Sequence, residues 1–167
     1  MKVLVTVASK HGSTAEIGDA IARVLSEAGH EVYQAVPDPD IALEHFHAVV
    51  CGSAVYGGSW RSEAVRFLEI RADDLRAKPI WLFETGPVGN VDLIESGSNG
   101  VALGSLVAAR TLKVFGGKLD KSRLTVGERF ITQMVGATDS DDRDWEEITT
   151  WASGIADALN KEEQGHS

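Results

Sequence analysis

Short apolar runs that alternate with stretches of helical period constrain this chain more than any other feature of its sequence. The first run holds Val3, Leu4, Val5 and Val7; a helix pattern follows with Ile17, Ile21, Val24, Leu25 and Ala28 on one face and Gly29 placed to cap its end. Residues 31–36 read as a second strand, stopped by Pro37-Asp38-Pro39-Asp40. A helical turn over 41–46 precedes a third strand over 47–52, and Ala64, Val65, Phe67 and Leu68 mark the next helix. Residues 79–84 form a fourth strand, 101–109 a helix, and 112–119 a fifth strand. A helical excursion over 123–135 and an acidic turn over 139–144 lead to a last helix, which runs to about Leu159 and begins with Asp144 and Glu147 at capping-box spacing.

The central runs are apolar without alternation, as strands are when helices cover both faces of a parallel sheet. The expected fold class is therefore α/β, a doubly wound five-stranded parallel sheet in three layers, α/β/α. One domain over residues 1–160 accounts for the pattern, with 161–167 a frayed C-terminal tail.

Three strand ends carry unusual loops. Strand one empties into Ser9-Lys10-His11-Gly12-Ser13-Thr14, where five of six side chains can donate a hydrogen bond and the next helix begins at once. Ser13 and Glu16 have capping-box spacing, which puts the helix start inside the loop. A helix N-terminus fed by such a loop suits an anion, because its first N–H groups lack intrahelical partners and the macrodipole is positive there. An ordinary strand-to-helix turn has the same spacing. There is no G-x-x-x-x-G-K-[ST] and no G-x-G-x-x-G, so neither a nucleoside triphosphate nor a dinucleotide is favoured.

Strand three ends in Ala54-Val55-Tyr56-Gly57-Gly58-Ser59-Trp60 and strand four in Thr85-Gly86-Pro87-Val88-Gly89-Asn90. In a 2-1-3-4-5 strand order these loops share one edge with the first, where ligands of open α/β sheets bind. A phosphate site beside a slot of glycines and aromatics is the shape needed for a flat ring on a phosphorylated tail, which describes flavin mononucleotide (FMN). Tyr56, Trp60 and Pro87 are the candidates to pack on ring faces. Gly57 or Gly58 could turn a peptide toward a ring nitrogen that gains a proton on reduction. Each residue also has a plain structural role open to it: Trp60 packing its helix onto the sheet, the two glycines making only a turn.

A formal balance of 16 basic and 25 acidic residues leaves −9, which disfavours nucleic acid or an anionic membrane surface as partner. One cysteine, Cys51, excludes an internal disulfide and sits in an apolar run as a small core residue. With neither a signal-peptide pattern nor an apolar run near the roughly 18 residues of a membrane helix, the expectation is a soluble, cytoplasmic protein. A phosphorylation-controlled receiver domain shares the topology but needs a carboxylate at the end of strand three, where this chain has Cys51-Gly52-Ser53.

Ser9-x-His11-Gly12-x-Thr14 resembles the flavodoxin phosphate signature, with His11 where a hydroxyl residue normally stands. Residues 49–60, together with Arg129-Phe130, Gly136-Ala137-Thr138-Asp139 and Asp144-Trp145, resemble a narrower branch, the menaquinone-dependent protoporphyrinogen dehydrogenases and their flavodoxin-domain relatives. The resemblance implies a flavodoxin-like fold and noncovalent FMN. Ser9, Lys10, His11, Gly12, Ser13 and Thr14 would surround the phosphate. Ala54, Val55, Tyr56, Gly57, Gly58 and Trp60, with Thr85, Gly86, Pro87, Val88 and Gly89, would bracket the ring. His11 would meet the phosphate through its side chain or only through its backbone N–H. The dehydrogenases carry a long basic insertion after the fourth strand, whereas this chain has only the glycine-rich segment 90–100.

Chemistry is then expected on the flavin, with no catalytic side chain and no metal required. The first expectation for function is a quinone-linked flavin dehydrogenase; the alternative is a single-electron carrier serving a reductase or other redox partner protein.

Overall fold

The computed structural model describes residues 1–86, 98–119 and 140–165. The expected helix over 123–135 lies outside these, as do Pro87, Val88 and Gly89. Chain order is β1 (Lys2–Ala8), α1 (Ser13–Glu27), β2 (Glu31–Ala35), a 3₁₀ turn (Leu43–His45), β3 (Ala48–Tyr56), β4 (Ser59–Trp60), α2 (Ser62–Ile70) and α3 (Ala72–Arg76). Then come β5 (Ile80–Thr85), α4 (Gly100–Leu106), β6 (Leu112–Phe115), β7 (Lys118–Leu119), β8 (Ser140–Asp141) and α5 (Trp145–Gly165).

The main sheet runs β2-β1-β3-β5-β6 and all these neighbours pair in parallel. Counting only the parallel strands, that is the expected 2-1-3-4-5 order. Strand alternation sorts the core onto two faces. Val3, Val5, Val50, Trp81 and Phe83 pack under α1 and α5, against Ile17, Ile21, Ile148, Ile155 and Leu159. Leu4, Val49, Cys51, Ile80 and Leu82 pack on the other face against Phe67, Leu68, Leu75 and Leu103 of α2, α3 and α4. A sheet covered on both sides buries both faces of its central strands, and β3 and β5 are accordingly apolar over Ala48–Cys51 and Ile80–Phe83, with polar residues (Ser53, Glu84, Thr85) buried only toward their carboxyl ends. Cys51 is fully buried there, and burial pushes its thiol well above the ordinary range, so it is an inert core residue.

Four boundaries differ from the sequence expectation. β3 continues to Tyr56 because Gly57 (φ 56°) and Gly58 (φ 76°) fold the chain into a two-residue hairpin that returns as β4. Positive φ at both central residues is the condition of the tight turn whose twist matches paired strands, and glycine meets it without steric cost. The fifth parallel strand stops at Phe115; after Gly116 and Gly117, Lys118–Leu119 pairs antiparallel with Ser140–Asp141 in a separate ribbon. Helix α5 runs on to Gly165, six residues past Leu159. Glu162 there pairs with Arg110, and Glu163 with the N-terminal amine, across to the sheet. The fourth difference, at the start of α1, belongs to the site. Among the described residues no helix is long and apolar enough to cross a membrane.

Candidate cofactor site

The register of the sheet brings the loops together. Ala8 pairs with Ser53, and Ala54 with Thr85, so β1, β3 and β5 end side by side at the carboxyl edge. This edge is the ligand crevice of open α/β sheets.

At its first corner Gly12 stands in the left-handed region (φ 89°) and is itself the N-cap of α1, with no side chain capping the helix. The Ser13–Glu16 capping box expected from spacing is absent for a physical reason: Ser13 is already helical, and the Glu16 carboxylate is taken by the Arg143 guanidinium. Ser9 Oγ accepts the Gly12 N–H at 3.0 Å, which closes the loop on itself. The Glu16 N–H returns to the Gly12 carbonyl at 3.0 Å. The amides of Ser13, Thr14 and Ala15 are the orphan donors of this helix start, and no side chain among the described residues caps them.

Thr14 is buried, and its hydroxyl lies 2.6 Å from that of Thr85 at the end of β5. Two hydroxyls can share one hydrogen between them, so the pair keeps one further O–H to donate. Lys10 is exposed and His11 Nε2 is buried in the same loop.

Arg143 was not legible as a site residue. Its side chain is only 4% exposed; it grips Asp141 with two bonds, Nε to Oδ1 at 2.8 Å and Nη2 to Oδ2 at 2.7 Å. Nη1 bonds the Glu16 carboxylate and reaches the Ser13 carbonyl at 3.4 Å, and the guanidinium lies 4.8 Å over the Trp145 ring. The Arg143 bonds hold the Asp141 carboxyl down at about 2, and those bonds in turn hold the guanidinium protonated. An acidic residue in the first turn of α1 would repel an anion at the helix start; the Arg143 guanidinium, shared between Glu16 and Asp141, offsets part of that repulsion. A signal existed: Arg143 is the sole base in the acidic run 139–147.

The second corner is the hairpin turn. Tyr56 is 47% exposed, while Ala54 and Val55 are buried behind it. Trp60 sits beneath the turn rather than on the rim, 3% exposed, with its indole N–H donated to Glu84 Oε2 at 2.5 Å. Tyr56 is thus the aromatic surface this loop offers outward. Of the two glycine carbonyls in the turn, that of Gly58 is committed, accepting the Asn99 N–H at 3.0 Å. Thr85 and Gly86 complete the rim from β5.

Uncapped amides, a spare hydroxyl donor and a first-turn carboxylate paired with Arg143 fit a phosphate, and the strand that leads into the glycine turn ends at the same sheet edge. A sequence profile described as a flavodoxin domain matches residues 4–146. The chain belongs to the flavodoxin domain family. Such domains bind FMN and transfer electrons. The fold agrees: a flavodoxin from the domain Archaea superposes with TM-score 0.64 at 15% identity, covering 96% of this chain and 99% of its own. A Streptococcus pneumoniae flavodoxin gives 0.65 at 19%, covering 97% and 99%. The flavodiiron core of a Synechocystis protein gives 0.65 at 17%, but there this flavodoxin domain, 96% covered, spans only 36% of the longer chain. No curated protein sequence matches this flavodoxin domain.

Proposed function

We propose that this flavodoxin domain holds FMN noncovalently at the three-loop rim and acts as an oxidoreductase passing electrons to a quinone-class acceptor. The cofactor half rests on one observation: the uncapped start of α1 and the Thr14–Thr85 hydroxyl pair lie on the same sheet edge as the glycine turn. In this reading the first-turn amides, the spare threonine O–H, Ser9, Lys10, His11 and Gly12 bind the phosphate. Tyr56, Gly57 and Gly58 face the ring on one side, backed by Ala54 and Val55, and Thr85, Gly86, Pro87, Val88 and Gly89 on the other. Trp60 supports the turn from below. Bound flavin supplies the electron-accepting chemistry; the protein orients it and sets its electrostatic surroundings. Titrating the purified chain with FMN, followed by flavin fluorescence, should give saturable one-to-one binding; an unchanged signal at large excess would remove the reading.

The quinone half draws on the resemblance of residues 49–60 and of the segments between 129 and 145 to the protoporphyrinogen dehydrogenase branch. Because segment 90–100 stands in place of the basic insertion of those enzymes, neither porphyrin nor a membrane-held quinone is included in the proposal. A second reading, a single-electron carrier for a redox partner protein, is favoured by the match of the chain along 99% of two flavodoxins. Stopped-flow mixing of the reduced holoprotein with a menaquinone analogue separates the two: rapid two-electron reoxidation supports the enzyme, and indifference to the quinone supports the carrier.

A further inference from the structure

Glu84 is the penultimate residue of β5, a strand buried at every position, and its carboxylate is itself fully buried. A carboxylate withdrawn from water is costly, and an apolar residue of similar volume is commonly as stable or more so at such a site. Packing alone therefore gives no reason for an acid here. Its bonds do. Oε2 accepts the Trp60 indole N–H at 2.5 Å, and Ser98 Oγ lies 2.9 Å from both carboxylate oxygens. Ser98 Oγ in turn accepts the Gly100 N–H at 3.1 Å.

The neighbouring residue continues the chain of contacts upward. Asn99 donates its N–H to the Gly58 carbonyl at 3.0 Å, and its Oδ1 accepts the Trp60 N–H at 2.9 Å. Residues 98–100 and the carboxylate thus grip the hairpin from three points: the indole, the Trp60 amide and the Gly58 carbonyl. The fit is close. A Cβ at Gly100 would stand 2.3 Å from Glu84 Oε2 and 2.8 Å from Trp60 Nε1, so only glycine at 100 admits the carboxylate between them.

We propose that Glu84 is a positioning residue for the flavin ring: through Trp60 and residues 98–100 its buried carboxylate fixes the Gly57–Gly58 turn in the conformation that receives the cofactor. The proposal rests on the reading that this turn faces the flavin. A group acting on the ring side alone has a distinctive consequence. It changes affinity for riboflavin and for FMN by the same factor, because the phosphate corner is held by other residues.

The test measures dissociation constants for both flavins, and the visible circular dichroism of the bound ring, in the wild type, Glu84→Ala, Glu84→Gln, Ser98→Ala and Leu159→Ala. Glu84→Ala should weaken both flavins equally, by about tenfold or more, since several hydrogen bonds are lost together. Ser98→Ala should do the same by a smaller factor, and Glu84→Gln, which keeps an acceptor for the indole, should recover most of the affinity. Leu159→Ala lies in the core across the sheet and controls for simple destabilisation; it should leave the ring signal unchanged. Should Glu84→Ala not fold, the Ser98 and Gln variants carry the same comparison. Wild-type constants in every Glu84 and Ser98 variant that folds, or a loss larger for FMN than for riboflavin, would overturn the positioning role. A wild type that binds neither flavin would overturn the cofactor reading and the proposal with it.

Discussion

The Thr14 and Thr85 hydroxyls, 2.6 Å apart and buried, make a donor of a contact that would otherwise look closed. One hydrogen lies between them and the other remains for a third acceptor, so the pair reads as part of the phosphate corner. Thr14→Val removes one hydroxyl with little change in volume and should weaken FMN binding by about 1 kcal/mol or more, while leaving riboflavin binding unchanged. Fluorescence titration with the two flavins checks this; equal losses for both would assign Thr14 a structural role. The loop that carries Thr14 was legible from sequence because donor-rich residues sit between an apolar run and a helical period. Thr85 was expected only as a ring neighbour, since its contact with Thr14 spans 71 residues of chain and no local pattern encodes it. Glu84 is illegible for a related reason: the apolar run predicts only a strand over 79–84, and no local pattern shows that its last residue is buried and bonded to Trp60 and Ser98.

Among elements, those with a period were legible and those without were not. The parallel strands and their order follow from continuous apolar runs, and α1 and α5 from their one-sided faces. The Asp144 cap of α5 is also present, its Oδ1 accepting the Glu147 N–H at 3.0 Å. The two-residue strands β4, β7 and β8 carry no period at all; they are fixed by paired glycines and by contacts distant in sequence. The β8 end matters because it delivers Asp141 and Arg143 to the start of α1. Asp141 is held at about 2 in the fold, chiefly by its bond from Arg143, against about 3.9 in an unfolded chain. A carboxyl that is a stronger acid when folded contributes stability above its unfolded value and loses that contribution as pH falls toward the folded one. Asp141 is 41% exposed, so solvent screens the pair and the effect is small. Asp141→Asn should therefore lower the urea midpoint slightly at neutral pH and show a shallower decline than wild type between about pH 4 and pH 2. Parallel declines in the two proteins would show that this pair does not contribute to the acid limb.

Over the whole molecule the formal charge of −9 sets how the reduced protein meets its acceptor. A protein partner with a basic docking face would be drawn in by the long-range field, and added salt would screen that attraction over about 10 Å at 0.1 M. The association rate should then fall steeply with ionic strength. A neutral quinone feels no such attraction, and its encounter rate is governed by diffusion and access to the rim. The two functional readings thus predict different salt dependences for the same measurement. If the quinone reading holds, the second-order rate of reoxidation by a neutral water-soluble quinone should be fast and nearly constant from about 10 mM to 500 mM salt, where the Debye length shrinks from roughly 30 Å to under 10 Å. A cationic acceptor of equal driving force should slow over that range and calibrates the field of the protein. Slow reaction with the quinone at every salt concentration, beside fast and strongly salt-dependent transfer to a basic redox protein, would move the assignment from dehydrogenase to carrier while leaving the flavin site itself intact.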